Sequence, residues 1–191
     1  MALHAEIVEL MGSVPEVARD LRLNLDRLLA DGELDPSVRW GVAVASAASA
    51  RQPALEAALV AGAIEAVGPA VVEDALAAAA LMGMTNIYYR SRHMTGDAEY
   101  DRLPAGLRMS RLARPSTDQV TLELMSLAAS AVNGCEYCVR AHEKVVREAG
   151  ITREAVNAVL RIAATVHGLA VTLANREAAA MLTQEVSDAA A

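Results

Sequence analysis

The sequence predicts an all-α fold, and three observations support this prediction. Apolar residues recur at helical spacing along most of the chain, and no alternation with a period of two extends over more than a few residues. Hydrophobic residues make up 54% of the sequence but aromatic residues only 3%, so the core must consist of small and aliphatic side chains. Such side chains favour closely packed helices. A chain of 191 residues can bury one core, and we expect one domain over residues 1–191.

The first half of the chain carries signals for five helices. Pro15 opens the second of them, and Asp35 followed by Pro36 is typical of an N-cap with a proline in the first helical turn. The expected helices cover approximately residues 4–11, 16–30, 36–50, 54–67 and 70–84.

The second half follows an irregular connection over residues 100–115, which contains two prolines and a glycine. Ser116 and Gln119 then form a candidate capping box for a helix that reaches Val132. The Asn-Gly pair at 133–134 ends this helix.

Two more helices are expected after that break. The first begins at residue 135 or 136 and ends at Gly150, and Thr152 begins the second. Gly168 is a candidate interruption of this last helix, and the Ala-rich tail is expected to fray.

The two halves of the chain, about 1–103 and 104–191, show a weak internal sequence similarity. When they are offset by about eighty positions, residues 47–50 match residues 128–131, and Asp35 aligns with Ser116. Ala-rich sequences also produce such matches by chance. The first half has no cysteine or histidine at the corresponding place, so any chemistry is predicted to lie in the second half.

Charge and hydropathy narrow the classes of partner. The net charge of -7 and a pI near 5.1 make nucleic acid an unexpected partner, because phosphate binding needs clustered Lys and Arg. The longest uncharged stretches, residues 75–89 and 162–175, are shorter than the roughly 20 residues that span a bilayer, so we expect buried helices. The first residues do not resemble a signal peptide, and we expect a cytoplasmic protein.

The sequence Cys-Glu-Tyr-Cys-Val-Arg-Ala-His over residues 135–142 is the most informative segment. On a helix, Cys138 and His142 lie on one face with about 5–6 Å between their Cβ atoms, and Cys135 lies at the helix N-terminus. The stripe expected to be buried comprises Cys138, Ala141, His142, Val145 and Ala149.

This arrangement favours dithiol redox chemistry. Only a thiolate attacks, and a helix N-terminus and a nearby imidazolium both favour the thiolate over the thiol. Two cysteines separated by two residues at a helix start can also form a disulfide with little rearrangement. Inert buried thiols and a metal site remain alternatives, although the pair and His142 supply three ligands and structural zinc takes four.

Glu123 adds a carboxylate, because it is the only charged residue between Gln119 and Gly134. A carboxylate in apolar surroundings needs a partner or takes up a proton. We expect Glu123 and His142 to reach one pocket without necessarily facing each other. The alternatives are a solvated first-turn glutamate and a core histidine. Other residues are interpreted as packing or exposed positions: Trp40, Tyr88, Tyr89, the methionines, His4, His93 and His167.

Glu123, Cys135, Cys138 and His142, with eleven, two and three residues between them, resemble the signature of the AhpD alkyl hydroperoxidases of the carboxymuconolactone decarboxylase-like superfamily. The resemblance extends over nearly the whole chain. Further matching segments are Pro15-Glu16, Leu23-Asn24-Leu25, Trp40-Gly41, Gly83-Met84-Thr85-Asn86, Tyr89-Arg90 and Gly106-Leu107-Arg108-Met109.

The resemblance implies an all-helical fold with two similar halves, the second carrying the cysteine pair, and a homotrimer active in peroxide defence. It implies that Cys138 attacks an organic hydroperoxide and becomes a sulfenic acid. Cys135 would donate a proton and then resolve the sulfenic acid as a disulfide, while His142 and Glu123 would relay protons. It implies no bound cofactor.

By the same resemblance, the reductant is the dihydrolipoamide of a dihydrolipoamide acyltransferase, and electrons can pass to the AhpC peroxiredoxin. Some members have a histidine between the cysteines where this chain has Tyr137, whose hydroxyl can still donate a hydrogen bond. Two alternative functions stay open: a thiol adaptor that only relays electrons, and a lactone decarboxylase that would not use the cysteines.

Overall fold

Helices account for every regular element in the computed structural model, which describes residues 5–189 and the side chains of residues 5–176. The all-α prediction is confirmed. The α-helices are α1 (Ala5–Gly12), α2 (Arg19–Ala30), α3 (Pro36–Ala50), α4 (Pro53–Val67), α5 (Pro69–Thr95), α6 (Gln119–Val132), α7 (Glu136–Glu148) and α8 (Arg153–Ala189). Short 3-10 helices cover Glu16–Ala18, Ala98–Arg102 and Ser110–Ala113.

The predicted start signals of α3 and α8 are confirmed. Asp35 caps α3 by accepting a hydrogen bond from the Ser37 N–H at 2.8 Å, and Pro36 occupies the first turn. Thr152 accepts a hydrogen bond from the Ala155 N–H at 3.1 Å in front of α8. Strong local capping chemistry therefore fixes these boundaries.

Helix α5 differs from its prediction, because it continues to Thr95 instead of ending near residue 84. Gly83 lowers the helix propensity by only about 1 kcal/mol, and tertiary packing overrides that cost. The helix ends where Gly96 adopts a positive φ of 68° and its N–H donates to the His93 carbonyl. The extra turns carry Asn86 and Arg90 against the second half of the chain.

The predicted capping box of α6 is wrong. Asp118 caps this helix, since its carboxylate accepts hydrogen bonds from the N–H and hydroxyl of Thr121 at 3.0 and 2.6 Å. The Ser116 N–H instead donates to Asp74 at 2.9 Å, and Gln119 is the first residue of the helix.

Helix α8 is continuous at Gly168, contrary to the expected interruption. A Cβ at this position would lie 3.1 Å from a methyl group of Leu21, so the glycine permits the close approach of α2 and α8. The helix also continues through the Ala-rich segment to Ala189, where side chains lie outside the described residues.

Helices α3 and α6 form the centre of the domain and contact each other and most of the other helices. Their inner residues are small or aliphatic, and Ala43, Ala45, Ala128 and Ala129 are fully buried. The core therefore has the small side chains that the composition predicts.

The helix starts recur with one spacing in the two halves. Helix α6 begins at Gln119 and α3 at Pro36, which are 83 residues apart, and α7 at Glu136 and α4 at Pro53 have the same spacing. This register pairs the N-cap Asp35 with the N-cap Asp118, so the sequence similarity that aligned Asp35 with Ser116 is two residues out of step with the helices.

Asp74 on α5 anchors the connection between the two halves. Its buried carboxylate accepts hydrogen bonds from the Ser116 and Thr117 N–H groups, the Thr117 hydroxyl and the Arg111 guanidinium at 2.6–2.9 Å. Burial acts to raise the pKa of Asp74, but these hydrogen bonds outweigh it and lower the pKa. The anchor fixes the 3-10 helix Ser110–Ala113 beside α5.

Two helices, α5 and residues 153–176 of α8, are long and apolar enough to cross a membrane by length and composition alone. About half of each apolar window is buried inside the protein, at 50% and 56%. Both helices contact α3 and α6, as core helices do.

Candidate active site

The helical hairpin of α6 and α7 joins Glu123 directly to His142. A carboxylate oxygen, Oε2, of Glu123 lies 2.6 Å from Nδ1 of His142, and the two side chains are only 16% and 14% exposed. Gln119 donates a hydrogen bond from Nε2 to the other carboxylate oxygen at 3.3 Å. The contact is closer than the shared pocket that the sequence predicts.

The carboxylate of Glu123 is held in its ionised form. Burial acts to raise its pKa, but the hydrogen bond and charge of His142 and the hydrogen bond from Gln119 outweigh burial and lower the pKa. An ionised Glu123 accepts a hydrogen bond from the protonated Nδ1 of His142. In the neutral ring, Nε2 then carries the free lone pair and is the basic nitrogen.

Cys135 and Cys138 lie at the start of α7 with their sulfur atoms 2.6 Å apart. Cys135 is the N-cap residue, and its sulfur accepts a hydrogen bond from the Cys138 N–H at 3.4 Å. The two residues are 0% and 4% exposed, and both are free thiols. A disulfide bond is about 2.05 Å long, so the pair can close by a small side-chain movement.

The buried stripe of α7 is rotated from its prediction. Cys138 and Val146 are buried and His142 is mostly buried, but Val145 is 43% exposed and Ala141 is exposed. The stripe follows the spacing of Cys135, Cys138, His142 and Val146, because the N-cap sulfur also points into the protein. The inward orientation predicted for Cys138 and His142 is confirmed.

At Cys138 the thiol is favoured over the thiolate, although the helix start and a nearby imidazolium were both expected to favour the thiolate. Burial and the contact with Cys135 raise the pKa of Cys138 to about 12. The Asn86 amide and the Arg90 charge act in the opposite direction. Cys138 is therefore a protonated thiol at neutral pH, and its attack requires a base.

Asn86 and Arg90, one turn apart on α5, form a polar network behind the cysteine pair. Asn86 is fully buried, and its amide donates to the Ser130 hydroxyl and accepts from the Asn133 amide, both at 3.0 Å. Arg90 donates to the Asn133 carbonyl at 2.5 Å, beside the turn that leads to Cys135. This network ties α5 to the start of α7.

Met82 lies one turn before Asn86 and faces His142. Its sulfur is 3.2 Å from Nε2 of the imidazole and 3.7 Å from the Asn86 amide nitrogen. Met82 is only 2% exposed. The two ring nitrogens of His142 are thus directed to the Glu123 carboxylate and to the Met82 thioether.

A cavity of about 250 Å³ opens beside Cys138 and His142. Its wall is largely apolar. Residues of α5, of α7 and of the connection between the two halves, which Asp74 anchors, form this wall. The lining residues are Met82, Thr85, Tyr89, Met109, Leu112, Tyr137, Cys138, Ala141 and His142. This space can admit a small apolar molecule next to the Cys138 sulfur.

Tyr137, between the cysteines, is 54% exposed and stacks on Tyr89 with ring centroids 5.4 Å apart. The two rings form one wall of the cavity. A role for the Tyr137 hydroxyl as a hydrogen-bond donor stays a prediction.

The sequence interpretation missed the contribution of α5 to this site. Tyr89 and Met82 line the cavity, although both were interpreted as packing residues, whereas Trp40 and Met125 are buried core residues as predicted. A signal existed, because Asn86 and Arg90 are polar residues one turn apart in an apolar segment. His93 and His167 are exposed, and His4 lies outside the described residues.

A metal site finds no support in the side chains that the structure describes, where no three His, Cys, Asp or Glu residues converge on one point. His142, the third ligand considered for the cysteine pair, is directed to Glu123 and Met82 instead.

Comparison with known proteins gives consistent results. Residues 98–181 match the carboxymuconolactone decarboxylase family. The chain is 56% identical to the alkyl hydroperoxide reductase AhpD of Anaeromyxobacter sp. (strain K), with 84% of this chain and 87% of the relative covered. Proteins of the same name from Solibacter usitatus and Brucella suis are 45% and 41% identical, and each comparison covers 95% of the relative and 88% or 87% of this chain.

Proposed function

The chain belongs to the AhpD group of the carboxymuconolactone decarboxylase family, and we propose that it reduces organic hydroperoxides with Cys138 as the attacking thiol. In the overall reaction, two thiols and one hydroperoxide ROOH give one disulfide, one alcohol ROH and one water. The names of the relatives support an oxidoreductase of the alkyl hydroperoxide reductase type with an antioxidant role.

One observation carries the proposal: two cysteine sulfurs are in contact, and one of them, Cys138, lines the same cavity as a histidine that is hydrogen-bonded to a carboxylate. The pair can store two electrons as a disulfide, and the histidine and glutamate can hold the protons released. This combination serves a two-electron reduction coupled to proton transfer.

The first step is removal of the Cys138 proton, which its raised pKa makes costly. Nε2 of His142 is the base, because the Glu123 carboxylate holds the proton on Nδ1 and stabilises the imidazolium that forms. Cys138 and His142 are one turn apart, and the hydroperoxide or one water molecule in the cavity can relay the proton. Asn86 and Arg90 favour the thiolate once it forms.

The thiolate of Cys138 attacks the distal oxygen of the hydroperoxide, the O–O bond breaks, and Cys138 becomes a sulfenic acid. The Cys135 thiol donates its proton to the departing alkoxide, which leaves as ROH. The Cys135 thiolate then attacks the Cys138 sulfur, and the hydroxide released takes the proton held by His142 and leaves as water. The close sulfur contact supports Cys135 as the resolving thiol.

A dithiol must reduce the disulfide to complete the cycle. We propose a dihydrolipoamide group on a dihydrolipoamide acyltransferase as the reductant, electron transfer to an AhpC peroxiredoxin as a second outlet, and a homotrimer in the cytoplasm. A reducing cytoplasm would keep such cysteines in the dithiol form between turnovers.

Consumption of tert-butyl hydroperoxide with dihydrolipoamide, measured without any peroxiredoxin, tests the proposal. The wild-type protein should turn over, and Cys138→Ser should abolish turnover while keeping its helix content and thermal unfolding temperature. Cys135→Ser is the matched control, and in the absence of dihydrolipoamide it should consume about one equivalent and stop. Full activity of Cys138→Ser would refute the assignment. A wild-type protein that consumes no hydroperoxide unless a peroxiredoxin is present would instead be a thiol relay.

A further inference from the structure

Met82 has unusual surroundings for a methionine. Buried methionine sulfurs usually pack against apolar or aromatic groups, but this one lies 3.2 Å from Nε2 of His142 and 3.7 Å from the amide nitrogen of Asn86. The Thr85 hydroxyl is 3.5 Å away but donates its proton to the Leu81 carbonyl at 3.0 Å. Met82 also lines the cavity that reaches Cys138.

We propose that Met82 is a second acceptor of peroxide oxygen, and that its oxidation to the sulfoxide switches the cysteine site off. The sulfur lone pair attacks the distal oxygen of ROOH and the O–O bond breaks. The oxygen stays on sulfur, its proton passes to the alkoxide, and ROH leaves. The hydroperoxide is the only oxidant and the thioether the only reductant, so the step is balanced.

The oxidation of Met82 is accessible because Cys138 competes weakly for the hydroperoxide while its thiol is protonated. A thiolate is the stronger nucleophile, but burial keeps the Cys138 thiol protonated at neutral pH. A thioether needs no deprotonation before it attacks. A hydroperoxide that arrives before Cys138 is deprotonated, or while the cysteines are oxidised, therefore meets the thioethers of Met82 and Met109 in the cavity wall. Met82 is the one whose sulfur lies against His142 and Asn86.

The surroundings of Met82 also fit the product. A sulfoxide oxygen is a strong hydrogen-bond acceptor. The Asn86 amide lies beside the sulfur as a donor, and Nε2 of His142 becomes a second donor once it takes up a proton. Oxidation of a buried methionine normally disrupts the core, whereas these donors offset that penalty here. A sulfoxide at Met82 would hold His142 protonated between two acceptors, and the base for Cys138 would be lost.

Site-resolved oxidation tests the inference in a full-length chain with both cysteines replaced by serine. After treatment with tert-butyl hydroperoxide, fragment mass spectrometry follows each methionine over time. Met94, which is 75% exposed, and Met125, which is fully buried outside the cavity, are the references. Met84 lies on the same α5 segment but not in the cavity wall.

We expect Met82 to oxidise at least as fast as Met94 despite its 2% exposure, and faster than Met84. Met125 should remain unoxidised. Oxidation in the order of exposure, with Met82 as slow as Met125, would overturn the inference. Because this variant has no cysteine, the result does not depend on the peroxidase chemistry of Cys138.

The switch itself rests on the proposed peroxidase function, and Met82→Leu tests it. Wild-type and variant proteins are exposed to excess hydroperoxide, fully reduced with dithiol, and assayed for the fraction of starting activity that remains. The wild type should lose several-fold more of its activity than the Leu variant. Equal losses would overturn the switch, and absence of activity in the untreated wild type would refute the peroxidase proposal instead.

Discussion

The helix pairs α3–α4 and α6–α7 use one backbone plan for two purposes. Counted from the helix starts, Trp40, Gln52, Leu55 and Leu59 of the first pair occupy the places of Glu123, Cys135, Cys138 and His142 in the second. Trp40, Leu55 and Leu59 are buried core residues, whereas their counterparts line or support a cavity.

The N-caps show how small the difference is. The Gln52 side chain accepts a hydrogen bond from the Leu55 N–H at 2.7 Å, and the Cys135 sulfur accepts one from the Cys138 N–H at 3.4 Å. The cap that begins a helix in the first pair thus becomes a thiol that faces another thiol in the second. Chemistry in this fold therefore depends on a few side chains. The helical hairpin forms without them, as the α3–α4 pair shows.

The largest expected effect comes from giving α7 the residue of the apolar pair. His142→Leu, which copies Leu59, should lower hydroperoxide turnover by about 10²–10⁴-fold, the usual contribution of general acid–base catalysis. His167→Leu is the matched control, because His167 is exposed on α8, and it should keep its activity. Steady-state turnover with dihydrolipoamide measures both, and a His142→Leu variant with wild-type turnover would contradict the role of the imidazole.

The same position in α4 should control stability. Leu59 is fully buried, and Leu59→Ala should lower the free energy of unfolding by about 2–5 kcal/mol. Val145→Ala on α7, where the side chain is 43% exposed, should cost no more than about 0.5 kcal/mol. Denaturant unfolding of both variants checks the contrast, and equal costs would mean that α4 is not the more tightly packed helix.

A third experiment tests the pH dependence that Glu123 gives the α6–α7 pair. The lowered pKa of Glu123 means that its ionised form stabilises the fold above its ordinary value of 4.5, and this contribution is lost as the pH falls through the lowered pKa. Glu123→Gln should therefore lower the thermal unfolding temperature at pH 7, and the difference from wild type should shrink below pH 4.5.

Glu136→Gln is the control for that experiment, because Glu136 pairs with Arg140 at the surface and is 67% exposed. It should lower the unfolding temperature little at any pH. A gap between wild type and Glu123→Gln that stays constant from pH 7 to pH 3 would show that the carboxylate charge contributes nothing.

The smallest effect is expected at the cap of α4. Gln52→Ala removes the acceptor for the Leu55 N–H and should cost about 1 kcal/mol, or about 2–4 °C in the unfolding temperature of a chain of this size. Gln52→Asn keeps an acceptor at the N-cap and should retain most of that stability. An unchanged unfolding temperature for Gln52→Ala would show that this cap has no energetic role.

Local chemistry made part of this structure predictable from the sequence. The N-cap at Asp35, the break at residues 133–134 and the alignment of Cys138 with His142 all depend on residues within a few positions of each other. For the same reason the false cap at Ser116 was misleading: local sequence does not reveal that Asp74, 42 residues away, binds its N–H.

The remainder of the site depends on contacts between distant parts of the chain. Met82 and Asn86 face the second half because α5 continues past Gly83, and that extension is stabilised by packing and not by helix propensity. The protonated state of Cys138 likewise follows from burial, which outweighs the helix start. Sequence spacing identified the residues, but the environment set their ionisation.

Counting alkylatable thiols after a single pulse of hydroperoxide tests the central claim most directly. The reduced protein should take up two alkyl groups after denaturation. After one equivalent of tert-butyl hydroperoxide it should take up none, with a mass loss of about two hydrogens from a Cys135–Cys138 disulfide. If both thiols remain alkylatable while the hydroperoxide persists, the cysteine pair is not the electron donor.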